Sequence, residues 1–596
     1  MPDEQDSNYT QKNVNNLPAE LLNVLKKQQG PLKRLLAAPA RSVTALVDPF
    51  NTAGAFVRGA RELAMRPDKL IRANFELWQK QMALWEHVTR RMLGLDTEPV
   101  AAPDRGDRRF KSPEWDNNPV FDVIRQSYLV TSRWLVDTMS DVDNLSEEDA
   151  HKIRFHTQQI ADALSPSNFF WTNPEVLRET LDSRGKNLVR GFRNLKRDVE
   201  AGGGRLKIAM TDEAAFELGR NIATTPGKVV FENEILQLIQ YEPTTKTVFR
   251  RPLVIFPPWI NKFYILDLQP ENSFIRWAVD RGYTVFVASW ANPDEELAER
   301  TMTDYLQQGI LAALDAVEDA TGEREITTIG YCIGGTLMGA ALAYMAATGD
   351  DRVKANTFFA AQMDFSEAGD LRVFIDEKQL ENLDDKMSER GYLDGDAMYA
   401  SFNLLRANDL IWSFYVNNYL LGKEPLQFDL LYWNGDTTRM PRELHMFYLR
   451  EMYLKNNLAK PGGIELGGVP IDLSKVETPI YLQAAREDHI APYPSVFKSK
   501  NLFSGPVRFM LAGSGHIAGV INPPAAGKYN YWMNEEQPDE LDAWVEGATS
   551  HAGSWWNDWH EWLSGYSGEQ VPARMPGDGK LDVIEDAPGS YVSVKS

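Results

Sequence analysis

The chain has 596 residues, too many for one small core, so at least two domains are expected. A hydrophobic share of 43% and a charged share of 25% fit a soluble globular protein. A net charge of −21 argues against nucleic acid as the main partner, and the single cysteine excludes any intrachain disulfide.

Residues 1–15 are polar and acidic and are expected to be disordered. They lack a basic segment ahead of an apolar core, so no secretory leader is expected, and no apolar run is long enough to span a bilayer. From Leu17 to Leu95 the pattern is helical. Ile71, Phe75, Trp78, Met82 and Trp85 recur at alternating steps of four and three, which makes one apolar stripe. Such a stripe ordinarily packs against another helix; its alternative is docking to a partner or an apolar particle. Residues 96–110, "DTEPVAAPDRGDRRF", read as a linker. Helical periodicity returns over 113–200 and stops at the glycine run in "EAGGGRLK". The expected division is a helical domain over 16–204 and a second domain over 205–596.

Beyond that point the rhythm changes. "TVFRRPLVIF" (247–256), "YTVFVASW" (283–290), "ITTIG" (326–330), "PIYLQAA" (479–485) and "VRFMLA" (507–512) are short β-branched or aromatic runs. Helical segments separate several of them, which predicts an α/β fold with a mostly parallel sheet covered on both faces. Between about 365 and 460 the strand rhythm ceases. That helical stretch, rich in Trp, Tyr and Phe, reads as a cap inserted over the sheet.

The chemistry centres on "GYCIGG", residues 330–335. It has the G-x-S-x-G form of a nucleophile elbow, with Cys332 at the nucleophile position, and it lies between a predicted strand and a predicted helix. A helix N-terminus favours an anion. The plainer alternative is a structural cysteine beside a glycine-rich turn. A nucleophile needs a base and an orienting acid, and in this fold they follow in the order Asp or Glu, then His. Asp488 follows one predicted strand in "REDHIAP", and His516 follows the next in "GSGHIAG". Of the eight histidines, His87, His151 and His156 lie in the helical part, and His551 and His560 lie in a Trp-rich C-terminal segment. His445, His489 and His516 remain, and His516 alone has the strand-then-glycine setting; His489, next to Asp488, is given a supporting role. One oxyanion donor is expected from the backbone N–H of Ile333. The other should come from the loop "PPWIN" after "PLVIF", where the prolines have no N–H and Ile260 is the favoured donor. No Cys/His spacing suggests a metal site, and no cofactor is called for.

Several stretches resemble a known family. "DRRFKSPEW", "FPPWINKFYILDLQPENSF", "GYCIGG", "RANDLIWSFYVNNYLLG", "FDLLYWNGDTTRMP", "REDHIAP", "GHIAGVINPP", "GSWWNDWHEWL" and "APGSYV" together are similar to the class I polyhydroxyalkanoate synthases. The resemblance runs from about Asp104 to the C-terminus. It implies an α/β-hydrolase fold in which Cys332 is acylated, His516 is its base and Asp488 is the third member. The implied reaction polymerises (R)-3-hydroxyacyl-CoA, with short side chains such as 3-hydroxybutyryl, and releases CoA. It further implies a cytoplasmic homodimer attached to polyester granules, with granule-associated proteins as partners. The base for the 3-hydroxyl stays open between His516 and Asp488. Lys262 and Arg406 are candidate contacts for the CoA phosphates. A cysteine-nucleophile hydrolase such as a polyester depolymerase is one rival, and a non-catalytic granule coat is another.

A thioester chemistry explains the cysteine. Transfer from CoA to Cys332 exchanges one thioester for another and is nearly isoenergetic. Transfer onward to a hydroxyl yields an oxyester and runs downhill. A serine would use that drop in the first step.

Overall fold

The computed structural model describes residues 52–595. The tail expected to be disordered over 1–15 and the start of the helical stretch at Leu17 lie outside the described residues. The chain divides into two units. One holds the residues up to Met210 together with Arg406–Leu426; the other holds Thr211–Leu405 and everything from Gln427 onward.

The first unit is helical: α1 (Ala53–Met65), α2 (Pro67–Met92), α3 (Pro119–Ser140), α4 (Glu147–Ala163), α5 (Pro174–Asp182) and α6 (Lys186–Ala201). Their starts follow from the sequence. Asn118, Ser146 and Asn173 accept backbone N–H groups of the first turn, and prolines 67, 119 and 174 open their helices. Arg406–Leu426 packs on α6: Asn187 donates to Leu420 O at 2.9 Å, and the Tyr419 hydroxyl donates to Asp198 at 2.6 Å.

Two readings are corrected here. The stretch 96–110 is not a free linker, because Ala101 and Phe110 join a small core with Trp115, Leu129 and Val130. Gln126 Oε1 satisfies its Val100 and Ala101 N–H groups, and Arg109 pairs with Asp107 and Asp162. The apolar stripe of α2 does not face a helix among the described residues. Ile71, Phe75, Trp78, Met82 and Trp85 are all exposed, the tryptophans by 57% and 67%. The helix uses its other flank, Leu84, His87 and Val88, to pack.

The second unit is built on an 11-stranded sheet. Its strands are β1 (Gly227–Glu232), β2 (Leu236–Tyr241), β3 (Leu253–Phe256), β4 (Val285–Trp290), β5 (Ile326–Tyr331), β6 (Val353–Phe359), β7 (Ile480–Ala485), β8 (Val507–Ala512), β9 (Asn530–Met533), β10 (Thr549–Ala552) and β11 (Glu585–Asp586). The order is β10-β9-β8-β7-β6-β5-β3-β4-β2-β1-β11. The central six strands, β8 through β4, run parallel. The flanking ones are antiparallel. Strands β2, β4, β5 and β7 are buried along their whole length. That is the signature of a sheet covered on both faces. Helix α7 (Ile333–Thr348) follows β5 and is apolar all round, with most of its residues buried.

Candidate active site

Cys332 stands between β5 and α7 with φ +51° and ψ −124°. An L-residue adopts positive φ at a cost, and such strain is held only where the surroundings fix it. Here they do. The Cys332 N–H donates to Phe359 O at 2.9 Å, and its carbonyl accepts from Gly335 and Thr336 at 2.9 and 3.0 Å. The glycines of "GYCIGG" allow the approach. A Cβ on Gly330 would lie 2.6 Å from Gly335 Cα, one on Gly334 would strike Pro257 O, and one on Gly335 would strike Ala361 Cβ. Gly335→Ala is therefore expected to cost about 1–3 kcal/mol by overpacking against backbone and a buried methyl. A lower urea midpoint at unchanged m-value would register it; an unchanged midpoint would mean that the elbow can yield.

Asp488 and His516 come together across the ends of β7 and β8. His516 Nδ1 lies 2.7 Å from Asp488 Oδ2. Asp488 Oδ1 accepts the N–H groups of Ile490 and Ala491 at 2.8 and 2.9 Å, so both carboxylate oxygens are engaged. Burial by itself would push His516 down. The Asp488 carboxylate and the Cys332 side chain outweigh it, and the imidazole titrates well above the usual histidine value. Because Nδ1 is held by Asp488, Nε2 is the nitrogen left for Cys332, which contributes both charge and a hydrogen bond to that shift. Thus the structure brings Cys332, His516 and Asp488 into one electrostatic unit.

The loop that carries His516 is anchored by side chains that motif reasoning gave no role. Trp555 Nε1 donates to Gly519 O at 2.7 Å and Trp556 Nε1 donates to Val520 O at 2.9 Å; both rings are fully buried. Tyr331, next to the nucleophile, packs on the His516 ring at 5.8 Å. His489 is half-buried on the same turn as Asp488 and is not the residue that meets His516.

The loop after β3 is tied down through its carbonyls. Trp290 Nε1 donates to Pro257 O, the Thr438 hydroxyl to Trp259 O, and Trp433 Nε1 to Lys262 O, each at 2.7 Å. Ile333 is the first residue of α7, where an N–H has no partner within the helix. Lys262, a candidate phosphate contact in the sequence, has its ammonium engaged by partners within the fold. It is buried, donates to Val592 O and Val594 O at 2.6 and 2.9 Å, and pairs with Asp436 at 2.9 Å. Its ammonium pins the C-terminal segment to this loop. Burial lowers its pKa against the pull of Asp436. Arg406 pairs with Asp409 within the helical unit.

His445 sits in a short helix, Arg442–Phe447, fully buried, with Nδ1 unpartnered among the described residues. Burial pushes its pKa down to about 4. An unfolded histidine titrates near 6.5, so between those values the unfolded chain binds the extra proton. Stability from this site is present above the unfolded pKa and is lost as pH falls toward the folded one. Between pH 7 and pH 5 the loss is about 2 kcal/mol. His445→Leu should remove most of that acid sensitivity in urea melts at the two pH values; an unaltered difference would place the sensitivity elsewhere.

Among the described residues no group of His, Cys, Asp or Glu side chains could hold a metal ion, and no helix is long and apolar enough to cross a membrane. The family described as "Poly-beta-hydroxybutyrate polymerase (PhaC) N-terminus" matches residues 106–278, and the family "alpha/beta hydrolase fold" matches residues 252–523. A poly(3-hydroxyalkanoate) polymerase of Methylorubrum extorquens is 50% identical over 89% of this chain and 88% of its own length. The polymerase subunit PhaC of Cupriavidus necator is 42% identical over 82% and 83%. Among solved structures, a hydrolase from Pseudomonas aeruginosa aligns with 51% of this chain and 96% of its own, at 14% identity and a TM-score of 0.30, too distant to bear on the chemistry. With half of its residues shared along nearly the whole length of such relatives, the chain belongs to the poly(3-hydroxyalkanoate) polymerase family, on an α/β-hydrolase fold.

Proposed function

We propose that this enzyme polymerises (R)-3-hydroxyacyl-CoA with short side chains, such as 3-hydroxybutyryl-CoA, into polyester through a thioester on Cys332. The observation that carries the reading is a strained cysteine elbow coupled to a His516–Asp488 pair, in a chain whose relatives are polyester polymerases. His516 takes the Cys332 proton and the thiolate attacks the CoA thioester carbonyl. The oxyanion is met by the N–H groups of Ile333 and Ile260, and CoA leaves with the proton from His516. The 3-hydroxyl of a second acyl group or chain end then attacks the Cys332 thioester. Its proton goes to His516, since both Asp488 oxygens are already engaged. Cap aromatics such as Phe365, Tyr448 and Tyr453 help keep water from the acyl-enzyme. Incubation with 3-hydroxybutyryl-CoA, following free CoA and turbidity together, tests the reading: both should rise. CoA release with free acid and no turbidity would favour a hydrolase.

The exposed face of α2 supports attachment of the helical unit to the apolar surface of polyester granules in the cytoplasm, with homodimerisation as a further role of that unit. Replacing Phe75, Trp78 and Trp85 by serine should reduce co-sedimentation with polymer particles while leaving CoA release intact. Undiminished co-sedimentation would assign attachment to another surface.

A further inference from the structure

Tyr448 and Tyr453 are five residues apart. On an α-helix of 3.6 residues per turn their side chains would point about 140° away from each other. The segment Tyr448–Leu454 is instead a π-helix, continuing directly from Arg442–Phe447. Its wider turn, with i→i+5 bonds such as Lys455 N–H to Arg450 O at 3.1 Å, brings residues five apart onto one side. The two phenol rings meet edge to face at 5.6 Å, and Phe365 packs against them at 5.9 and 4.9 Å. Thr336, one turn along α7 from the nucleophile, donates to Gln362 O at 2.9 Å, so the segment that carries Phe365 to the two phenols also lies against the start of α7. A charge on Cys332 is felt by both phenols. Tyr448 and Cys332 are each only partly buried.

Bond making needs neither phenol; a thiol, an imidazole with its carboxylate and two N–H groups suffice. An alkyl side chain needs only an apolar wall, which Phe365 could extend. Two phenols paired by an uncommon helical turn, in the same core that Cys332 packs against, point to a polar feature of the acyl group itself. The carbonyl oxygen is already provided for at the helix N-terminus. The remaining polar group on a 3-hydroxyacyl chain is the 3-hydroxyl.

We propose that Tyr448 and Tyr453 form the subsite that recognises the 3-hydroxyl of the acyl group, one phenol donating to its oxygen and the other accepting its hydrogen. The inference rests on the polymerase reading above and names its specificity determinant. Burial, reinforced by the neighbouring negative charge at Cys332, holds both phenols above their usual pKa, so they stay protonated donors throughout the neutral range. A fixed hydroxyl subsite on one side of the thioester also selects one configuration at C3.

The test compares 3-hydroxybutyryl-CoA with butyryl-CoA, which lacks only the hydroxyl. Equilibrium binding to a Cys332→Ala protein is measured by calorimetry, so no turnover intervenes. Two satisfied buried hydrogen bonds, at about 1 kcal/mol each, predict roughly thirtyfold tighter binding of the hydroxylated ligand. Adding Tyr448→Phe or Tyr453→Phe should cut that preference about fivefold, both together should bring it close to one, and neither should change the butyryl-CoA affinity. A preference that survives both substitutions overturns the proposal. Equal weakening of both ligands also overturns it, since that is the mark of a merely structural role. These outcomes leave the polymerase reading untouched. A Cys332→Ala protein that binds neither thioester would instead sink that reading, and this proposal with it.

Discussion

Cys332→Ser is expected to lower polymer formation roughly a hundredfold or more. The elbow, His516 and the oxyanion donors would all remain in place, so a hydrolase that merely tolerates cysteine should keep appreciable activity. A thioester-exchanging polymerase should not. A serine hydroxyl is harder to ionise beside His516 than a thiol. Its acyl product is an oxyester, so attack by a 3-hydroxyl would exchange one oxyester for another with little driving force. Acylation and polymer growth should therefore both fall, growth more steeply. Rapid-quench measurement of CoA release in the first turnover, with polymer mass followed separately, resolves the two. A serine variant that polymerises near the parent rate would contradict the account of why a thiol stands here.

His516→Ala should reduce first-turnover acylation by roughly a thousandfold, because Cys332 loses the base placed against it. Asp488→Asn should slow acylation and elongation by the same factor. The carboxylate acts through His516, holding Nδ1 at 2.7 Å, and its other oxygen is fixed by two backbone N–H groups. An amide nitrogen facing Nδ1 would favour the wrong tautomer without moving the ring. A loss confined to elongation would transfer the hydroxyl-activating role to Asp488. There is a linked effect on stability. The folded pKa of His516 lies above its unfolded value. The stabilisation it brings is therefore complete below the unfolded pKa, near 6.5, and is lost as pH rises through the folded one.

Much of this site was legible in the sequence because it depends on local punctuation. The elbow needs a strand, a glycine-flanked turn and a helix, and all three are contiguous at 326–348. Asp488 and His516 each follow a short apolar run and precede a turn. Strands β1 and β2 were harder to see, since "GKVVFENEILQLIQY" mixes polar residues into a hairpin whose pairing is antiparallel. Strand β6, "VKANTFF", carries Lys354 and Asn356 and lacks the continuous apolar run of its neighbours. The run 247–256 splits at Arg250-Arg251-Pro252, where proline ends one strand, Thr247–Phe249, before β3 begins. Burial of Lys262 could not be inferred, because its three acceptors come from residues more than 170 positions away. The phenol pair was hidden for a related reason. Helical patterning assumes a period of 3.6, and Tyr448 and Tyr453 share a side only because the turn is wider.

The central claim is that the acyl group rests on Cys332 as a thioester. Acid quench of the enzyme early in turnover of 3-hydroxybutyryl-CoA, followed by intact and peptide mass spectrometry, tests it most directly. The account predicts a hydroxybutyryl adduct on the peptide containing Cys332, removed by neutral hydroxylamine and absent after His516→Ala. CoA release at the parent rate with no adduct on that peptide, or with the adduct on another residue, would contradict it.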